Sequence, residues 1–255
     1  MIWQASTDEV SVLREQVGHT NGHAFDHHGR LVTCQHSPAA LVRYEHNGGV
    51  TVLASQYQDK RLNAPNDLVV LDDDSIIFTD PGYGALFDYE GRERPRDLKP
   101  AVYYINDTMD APCRLTATPT MPNGIGLSPD RSTLYVNDSA PTNGQGEPTR
   151  IHSFQLRHEH TPRLIQHRVI HEDTKSLLDG MAIDAAGNIW SANSGGTTHN
   201  GVSVFAPDGT LLGRIRLPEK CANVCFAGEK QNQLLMTASQ SLYSIYVNAH
   251  APRRA

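Results

Sequence analysis

The chain has 255 residues, a net charge of −6, 38% hydrophobic and 20% charged residues. That length fits one large domain or two small ones, and the mild, dispersed negative charge excludes the basic face of a nucleic-acid binder. No apolar run approaches the ~20 residues of a membrane span, and no basic start followed by an apolar block marks a signal peptide, so no membrane partner and a cytoplasmic location are expected.

Taken in chain order, "MIWQAS" and "EVSVLRE" read as a first pair of strands. "NGHAFDHHGRLVTC" then opens at Asn21 as a hairpin: an apolar alternation, a polar turn, a second alternation. "ALVRYE" and "VTVLAS" follow, joined by Asn47-Gly48-Gly49, a strong turn signal. The same unit returns as "NDLVVLDDDSIIFTD" from Asn66, with "AVYYI" and "CRLTA" behind it. It returns again as "NGIGLSPDRSTLYVND" from Asn123, with "RIHSFQL" and "LIQHRVI". The fourth copy is "DGMAIDAAGNIWSAN" from Asp179, with "VSVFA" and "LLGRIRL" joined at Pro207-Asp208-Gly209. The fifth is "NVCFAGEKQNQLLMTA" from Asn223, completed by "SLYSIYV" before a short polar tail.

The starts of these units are about 44–57 residues apart, the period of four-stranded propeller blades with loops of varied length. No segment carries a sustained helical period. Residues 1–255 are therefore expected to form a single all-β domain, a β-propeller whose blades bury their faces against one another. In such a ring the first strand of each blade lines a central channel. Asn21, Asn66, Asn123, Asp179 and Asn223 lead those strands and would converge at one mouth. Converging oxygens that include a carboxylate are what a hard divalent cation requires.

Other motifs are read more plainly. Cys34, Cys113, Cys221 and Cys225 form no Cys-x-x-Cys pair and read as free thiols. Asp72-Asp73-Asp74 imitates part of a calcium loop but lacks its downstream ligands, and reads as a hairpin turn. No Gly-x-Ser-x-Gly elbow and no phosphate or dinucleotide loop is present.

Four stretches, "TNGHAFDHHGRLVTCQH", "RLNAPNDLVVLDDDSIIFTDPGYG", "MPNGIGLSPDRSTLYVND" and "LLDGMAIDAAGNIW", are similar, in order, to motifs of the senescence marker protein/gluconolactonase family, which includes regucalcin-like and luciferin-regenerating proteins. The bacterial gluconolactonase branch resembles the chain most closely. The resemblance implies a six-bladed propeller of four-stranded blades that hydrolyses sugar lactones with one divalent cation, calcium first, zinc or manganese as alternatives. It implies Asn66, Asn123 and Asp179 as ligands. A fourth ligand of the family, a Glu in a Glu-Gly-Pro motif, has no counterpart here. Strand counting gives two N-terminal strands, four full blades and three last strands. The first blade is thus expected to be incomplete, lacking its inner hairpin and a closing strand. Three explanations stand in order: further chain upstream of Met1, a homodimer through open blade edges, or a five-bladed closure.

Within this frame Asp179 is the candidate general base and charged ligand, with Asp67 a weaker candidate. Asn21, His23, His36, Asp67 and Tyr83 are the candidate substrate-binding residues around the mouth. The competing expectation is a weakly active or inactive propeller that binds a cation or sugar, or serves as an interaction module.

Overall fold

The computed structural model describes residues 2–4, 6–140 and 146–252. Strands β1 (Ile2–Gln4) and β2 (Glu9–Ser11) form a hairpin of their own. The first blade comprises β3 (Thr20–Phe25), β4 (Leu31–His36), β5 (Ala39–Tyr44) and β6 (Val50–Ala54), followed by the small hairpin β7 (Gln56–Tyr57) and β8 (Lys60–Arg61). The second holds β9 (Leu68–Val70), β10 (Ile76–Asp80), β11 (Ala101–Ile105) and β12 (Cys113–Thr116), with a 3-10 turn at Tyr83–Ala85. The third holds β13 (Pro122–Leu127), β14 (Thr133–Asp138), β15 (Thr149–Arg157) and β16 (Arg163–Asp173). The fourth holds β17 (Leu177–Ile183), β18 (Ile189–Ser194), β19 (Gly201–Phe205) and β20 (Leu211–Arg216). The fifth has three strands, β21 (Cys221–Ala227), β22 (Gln233–Ala238) and β23 (Leu242–Tyr246).

Alternation along the strands explains the stacking. On β11, Ala101, Tyr103 and Ile105 join a core cluster with Val32, Cys34 and Leu41 of the first blade. Val102 and Tyr104, pointing to the opposite face, join Ile125, Leu134 and Val136 of the third. A strand buried on both faces has no polar alternate, which is why "AVYYI" is continuously apolar. Two further clusters fill the third–fourth interface around Tyr135, Ile183 and Phe205, and the fourth–fifth around Trp190, Val224 and Met236. Among the described residues no such cluster joins the fifth blade to the first.

Among the described residues the propeller thus has five blades, which corrects the expectation of six with an incomplete first blade. The N-terminal strands do not start a blade. They are three residues each, pair only with one another (Ile2 opposite Ser11, Trp3 opposite Val10), and bury no side chain fully. Two such strands have too little apolar face to build a radial layer.

In the second and third blades a buried carboxylate ties the second strand to the segment that leads into the inner strand. Asp80, at the end of β10, accepts the N–H of Asn63 (2.8 Å) and Ala64 (2.7 Å). Asp138, at the equivalent end of β14, accepts the N–H of Thr120 and Met121, both at 2.8 Å. These buried carboxylates satisfy the backbone donors just before the chain enters the channel wall.

Candidate active site

The inner strands carry an irregularity at one place. Their register with the second strand slips between Thr20 and His23, Pro122 and Ile125, and Leu178 and Met181. Each slip brackets the leading residue and its glycine: Asn21-Gly22, Asn123-Gly124, Asp179-Gly180. A β-bulge bends the strand and re-aims a side chain that simple alternation would send elsewhere. The glycines then let neighbouring blades approach. A Cβ on Gly124 would stand 2.3 Å from the Asp179 carbonyl oxygen, and one on Gly180 would stand 2.3 Å from Asn223 Cγ.

Three leading residues, Asn66, Asn123 and Asp179, are held by the blade before them. Gly22 N–H donates to the Asn66 carbonyl at 2.7 Å. Thr79 Oγ1 donates to the Asn123 carbonyl at 2.9 Å, while the Thr79 carbonyl accepts Asn66 N–H at 2.8 Å. Asn137 Nδ2 donates to the Asp179 carbonyl at 2.6 Å, and Ser139 Oγ donates to the Leu178 carbonyl. Asn123 Nδ2 donates to Ser139 Oγ at 3.1 Å, and the Asn123 amide also hydrogen-bonds the Asp179 carboxylate. Asn66, Asn123 and Asp179 are thereby laced together across three consecutive blades.

The electrostatics follow from enclosure. Burial pushes Asp67 up to about 6, against the backbone N–H groups of Leu68 and Ile125 that favour its charge. Asp179 is pushed up to about 7, first by burial, then by the charge of Asp67, with Asn123 and the Gly180 N–H opposing. Cys221 is raised to about 12 by burial and by Asp179, so its thiol stays protonated and is no thiolate ligand.

The donor set suits a hard cation. Asn123 Oδ1 is buried with no hydrogen-bond partner, although its Nδ2 is used. An orphaned amide oxygen beside a carboxylate is a position a cation can satisfy. Among the described residues no cluster of three or more His, Cys, Asp or Glu side chains could hold a metal, so a cation here would rest on amide oxygens beside the one carboxylate of Asp179.

The remaining sequence candidates divide. Below the mouth the channel opens into a cavity of about 1420 Å³, walled by Asn21, His23, Asp67 and Asn223 among others, with Asn66, Asn123 and Asp179 outside its walls. His23 lies there with Nδ1 2.9 Å from Thr33 Oγ1, its pKa lowered by burial. Asp67 bridges blades: Oδ1 accepts Leu68 N–H at 2.9 Å and Oδ2 accepts Ile125 N–H at 3.3 Å. His36 is buried. Its Nδ1 faces the Glu90 carbonyl at 2.9 Å, which fixes the proton on Nδ1, so Asn21 Nδ2 donates to Nε2 at 3.3 Å. Tyr83 donates from its hydroxyl to the Met121 carbonyl at 3.4 Å, spanning the second and third blades. Sequence reasoning missed Thr79, Asn137 and Ser139. Their signal was present: each falls at the end of a second strand, level with the leading residue of the next blade.

The comparisons agree with this architecture. Residues 1–240 match the model of the SMP-30/Gluconolactonase/LRE-like region. The gluconolactonase of Zymomonas mobilis is 32% identical over 201 residues, which cover 76% of this chain and 53% of that protein. The chain thus spans about half the length of that curated relative. The structure of a Xanthomonas campestris gluconolactonase superposes with a TM-score of 0.81 at 33% identity, covering 92% of this chain and 74% of that one. A calcium-binding regucalcin from Agrobacterium tumefaciens shares the fold at a TM-score of 0.69 and 19% identity, over 92% of this chain and 80% of that one. With most of its length inside one family model and its inner strands in that order, the chain belongs to the SMP-30/gluconolactonase/LRE-like family.

Proposed function

We propose that this chain hydrolyses a sugar lactone at the channel mouth, with Asn66, Asn123 and Asp179 holding one divalent cation, calcium before manganese or zinc. The observation that carries this reading is the buried, unpartnered Asn123 Oδ1 beside Asp179. The gluconolactonase relatives supply the substrate class. A cation there supplies carbonyl polarisation and oxyanion stabilisation.

The chain's own residues do the rest. The Asp179 carboxylate takes a proton from the attacking water as the water oxygen adds to the lactone carbonyl carbon. The ring C–O bond then breaks and the same proton passes to the leaving ring oxygen, giving the open hydroxy acid. Without the cation, burial and the charge of Asp67 raise the Asp179 carboxyl to about 7, and a bound cation would lower it and favour the carboxylate that accepts the proton. Asn21, His23 and Asp67 line the cavity and offer polar groups for sugar hydroxyls; His36 accepts a hydrogen bond from the Asn21 amide, and Tyr83 offers a phenol beside Met121.

A panel of aldonolactones assayed with calcium, manganese, zinc or chelator tests the proposal. Hydrolysis is expected with cation and is lost with chelator. In Asp179→Ala, turnover falls by about 10²-fold or more, the size of a general-base contribution, with circular dichroism unchanged. Wild-type turnover in that variant removes Asp179 from the mechanism. Cation binding without hydrolysis of any lactone favours the binding-module alternative.

A further inference from the structure

Asn21 ends a chain of hydrogen bonds that runs in from the loop after the 3-10 turn. Residues 86–97 fold back over that turn: Arg92 N–H donates to the Gly84 carbonyl at 2.9 Å and Arg94 N–H to that of Ala85 at 3.0 Å. Gly91 permits this, since a Cβ there would lie 2.2 Å from the Gly84 oxygen. The Arg94 guanidinium donates to the carbonyls of Leu62 (2.9 Å) and Asn63, which fastens the loop to the chain between the first and second blades. The Glu90 carbonyl is therefore an acceptor held in place, and buried His36 donates to it from Nδ1 at 2.9 Å. The imidazole is held too. Its backbone N–H donates to the His19 carbonyl at 3.1 Å, and a Cβ on Gly84 would stand 2.3 Å from His36 Cβ, so the turn packs directly on the side chain.

These contacts set the polarity of the next link. Burial lowers the His36 pKa, so the ring is neutral at pH 7, with one donor and one acceptor nitrogen. The donor is spent on Glu90. Nε2 is left as the acceptor and takes the Asn21 Nδ2–H at 3.3 Å. Turning the Asn21 amide over would set Oδ1 against the Nε2 lone pair, so the amide keeps one orientation. Asn21 is exposed on the wall of the channel cavity, and no donor among the described residues uses its Oδ1. Its neighbours on that wall spend their side-chain oxygens on backbone N–H groups: Asp67 on Leu68 and Ile125, Asn223 on Val224. Asn21 is also tied to the proposed cation site, because the N–H of the next residue, Gly22, donates to the Asn66 carbonyl at 2.7 Å. An unused acceptor of fixed direction asks for a donor. A lactone hydroxyl supplies one, whereas a ring methylene or a methyl ether does not.

We infer that Asn21 Oδ1 determines specificity by selecting a lactone that carries a hydroxyl at one ring position, and that His36 is the positioning residue that fixes which end of the Asn21 amide the substrate meets. The inference rests on the lactone reading of the mouth and deepens it from a substrate class to a single substrate contact.

Cycles between protein and substrate test it. kcat and KM are measured with calcium for glucono-δ-lactone and each of its monodeoxy derivatives, using wild type, Asn21→Ala and His36→Asn. In His36→Asn the shorter side chain keeps an amide donor for the Glu90 carbonyl but no longer reaches Asn21. With wild type, one monodeoxy lactone is expected to lose about five- to tenfold in kcat/KM, mostly through KM, the size of one hydrogen bond. Both variants lose that preference, while the other deletions cost them what they cost wild type. A variant that only loosens the fold lowers turnover of every lactone alike, and that result in His36→Asn overturns the inference. So does a penalty that survives at full size in either variant; survival in His36→Asn alone removes His36 from the contact. Hydrolysis by wild type with no penalty for any deletion overturns the inference and leaves the lactone reading standing. No hydrolysis of glucono-δ-lactone by wild type overturns both.

Discussion

The close approach of β13 and β17 gives a sharp prediction for Gly124→Ala. The added Cβ meets only backbone: the Asp179 oxygen at 2.3 Å, Gly180 Cα at 2.7 Å and the Gly180 carbonyl carbon at 2.9 Å. Non-bonded contacts settle near 3.5 Å, so one strand must move by roughly 1 Å. It is not free to do so, because Asn137 Nδ2 grips the same Asp179 carbonyl at 2.6 Å. Overpacking of this kind costs about 1–3 kcal/mol. Alanine returns about 0.4–1 kcal/mol by restricting the unfolded chain, since no positive φ is required at this position. The net loss is about 1–2 kcal/mol, or about 2–8 °C in melting temperature for a chain of this size. The functional loss is larger, because a displacement near 1 Å at a reacting group costs about 10²-fold. Thermal denaturation and lactone turnover are measured side by side, with Gly213→Ala as the control, where an added Cβ has nothing within 4 Å. Wild-type stability together with wild-type turnover in Gly124→Ala would refute the claim that glycine at this bulge sets the position of Asp179.

The pH dependence of stability follows from three raised carboxyls. Asp67 and Asp80 are held up at about 6 and Asp179 at about 7, in each case chiefly by burial. At these three carboxyls the folded chain binds more protons than the unfolded chain above about pH 4, so their contribution to stability under chelator falls as pH rises to about 7 and then levels off, while His23, His36, His167 and His171, lowered chiefly by burial, contribute the opposite slope near their ordinary range. Urea titrations across that range measure the slope, and Asp80→Asn, which removes one of the falling contributions, is expected to make it more positive; a slope unchanged in that variant rules Asp80 out as a contributor. The unpaired edge of β23 carries exposed Leu242, Ile245 and Tyr246 with no lysine or proline to guard it. Self-association that rises with concentration is expected in sedimentation velocity and is reduced by Ile245→Lys; a wild-type chain that stays monomeric at every concentration contradicts it.

The repeat was legible because blade packing writes itself locally. An inner hairpin that faces a channel and two neighbours needs apolar alternation, a turn and a polar leading residue, and all five copies show it. The blade number was not legible. It depends on whether a strand pair finds a face to pack against, and β1 and β2 bury too little to find one. Three of the five leading residues, Asn21, Asn123 and Asp179, stand in Asn-Gly or Asp-Gly dipeptides, which also signal turns; that these mark bulges is visible only in the slipped register.

The lacing of the mouth has a directional logic. The carbonyl of Asn66 is held by Gly22, that of Asn123 by Thr79, and that of Asp179 by Asn137, each one blade earlier in the chain. Position is therefore handed forward around the ring: each candidate ligand is placed by the blade behind it and not by its own hairpin turn. A ring left without a core between its last and first blades can still hold a precise mouth on these terms, because the three proposed ligands come from the second, third and fourth blades, whose interfaces are the filled ones. The unfilled flank touches Asn21 and Asn223, the two leading residues at the ends of the series, and neither belongs to the proposed ligand set.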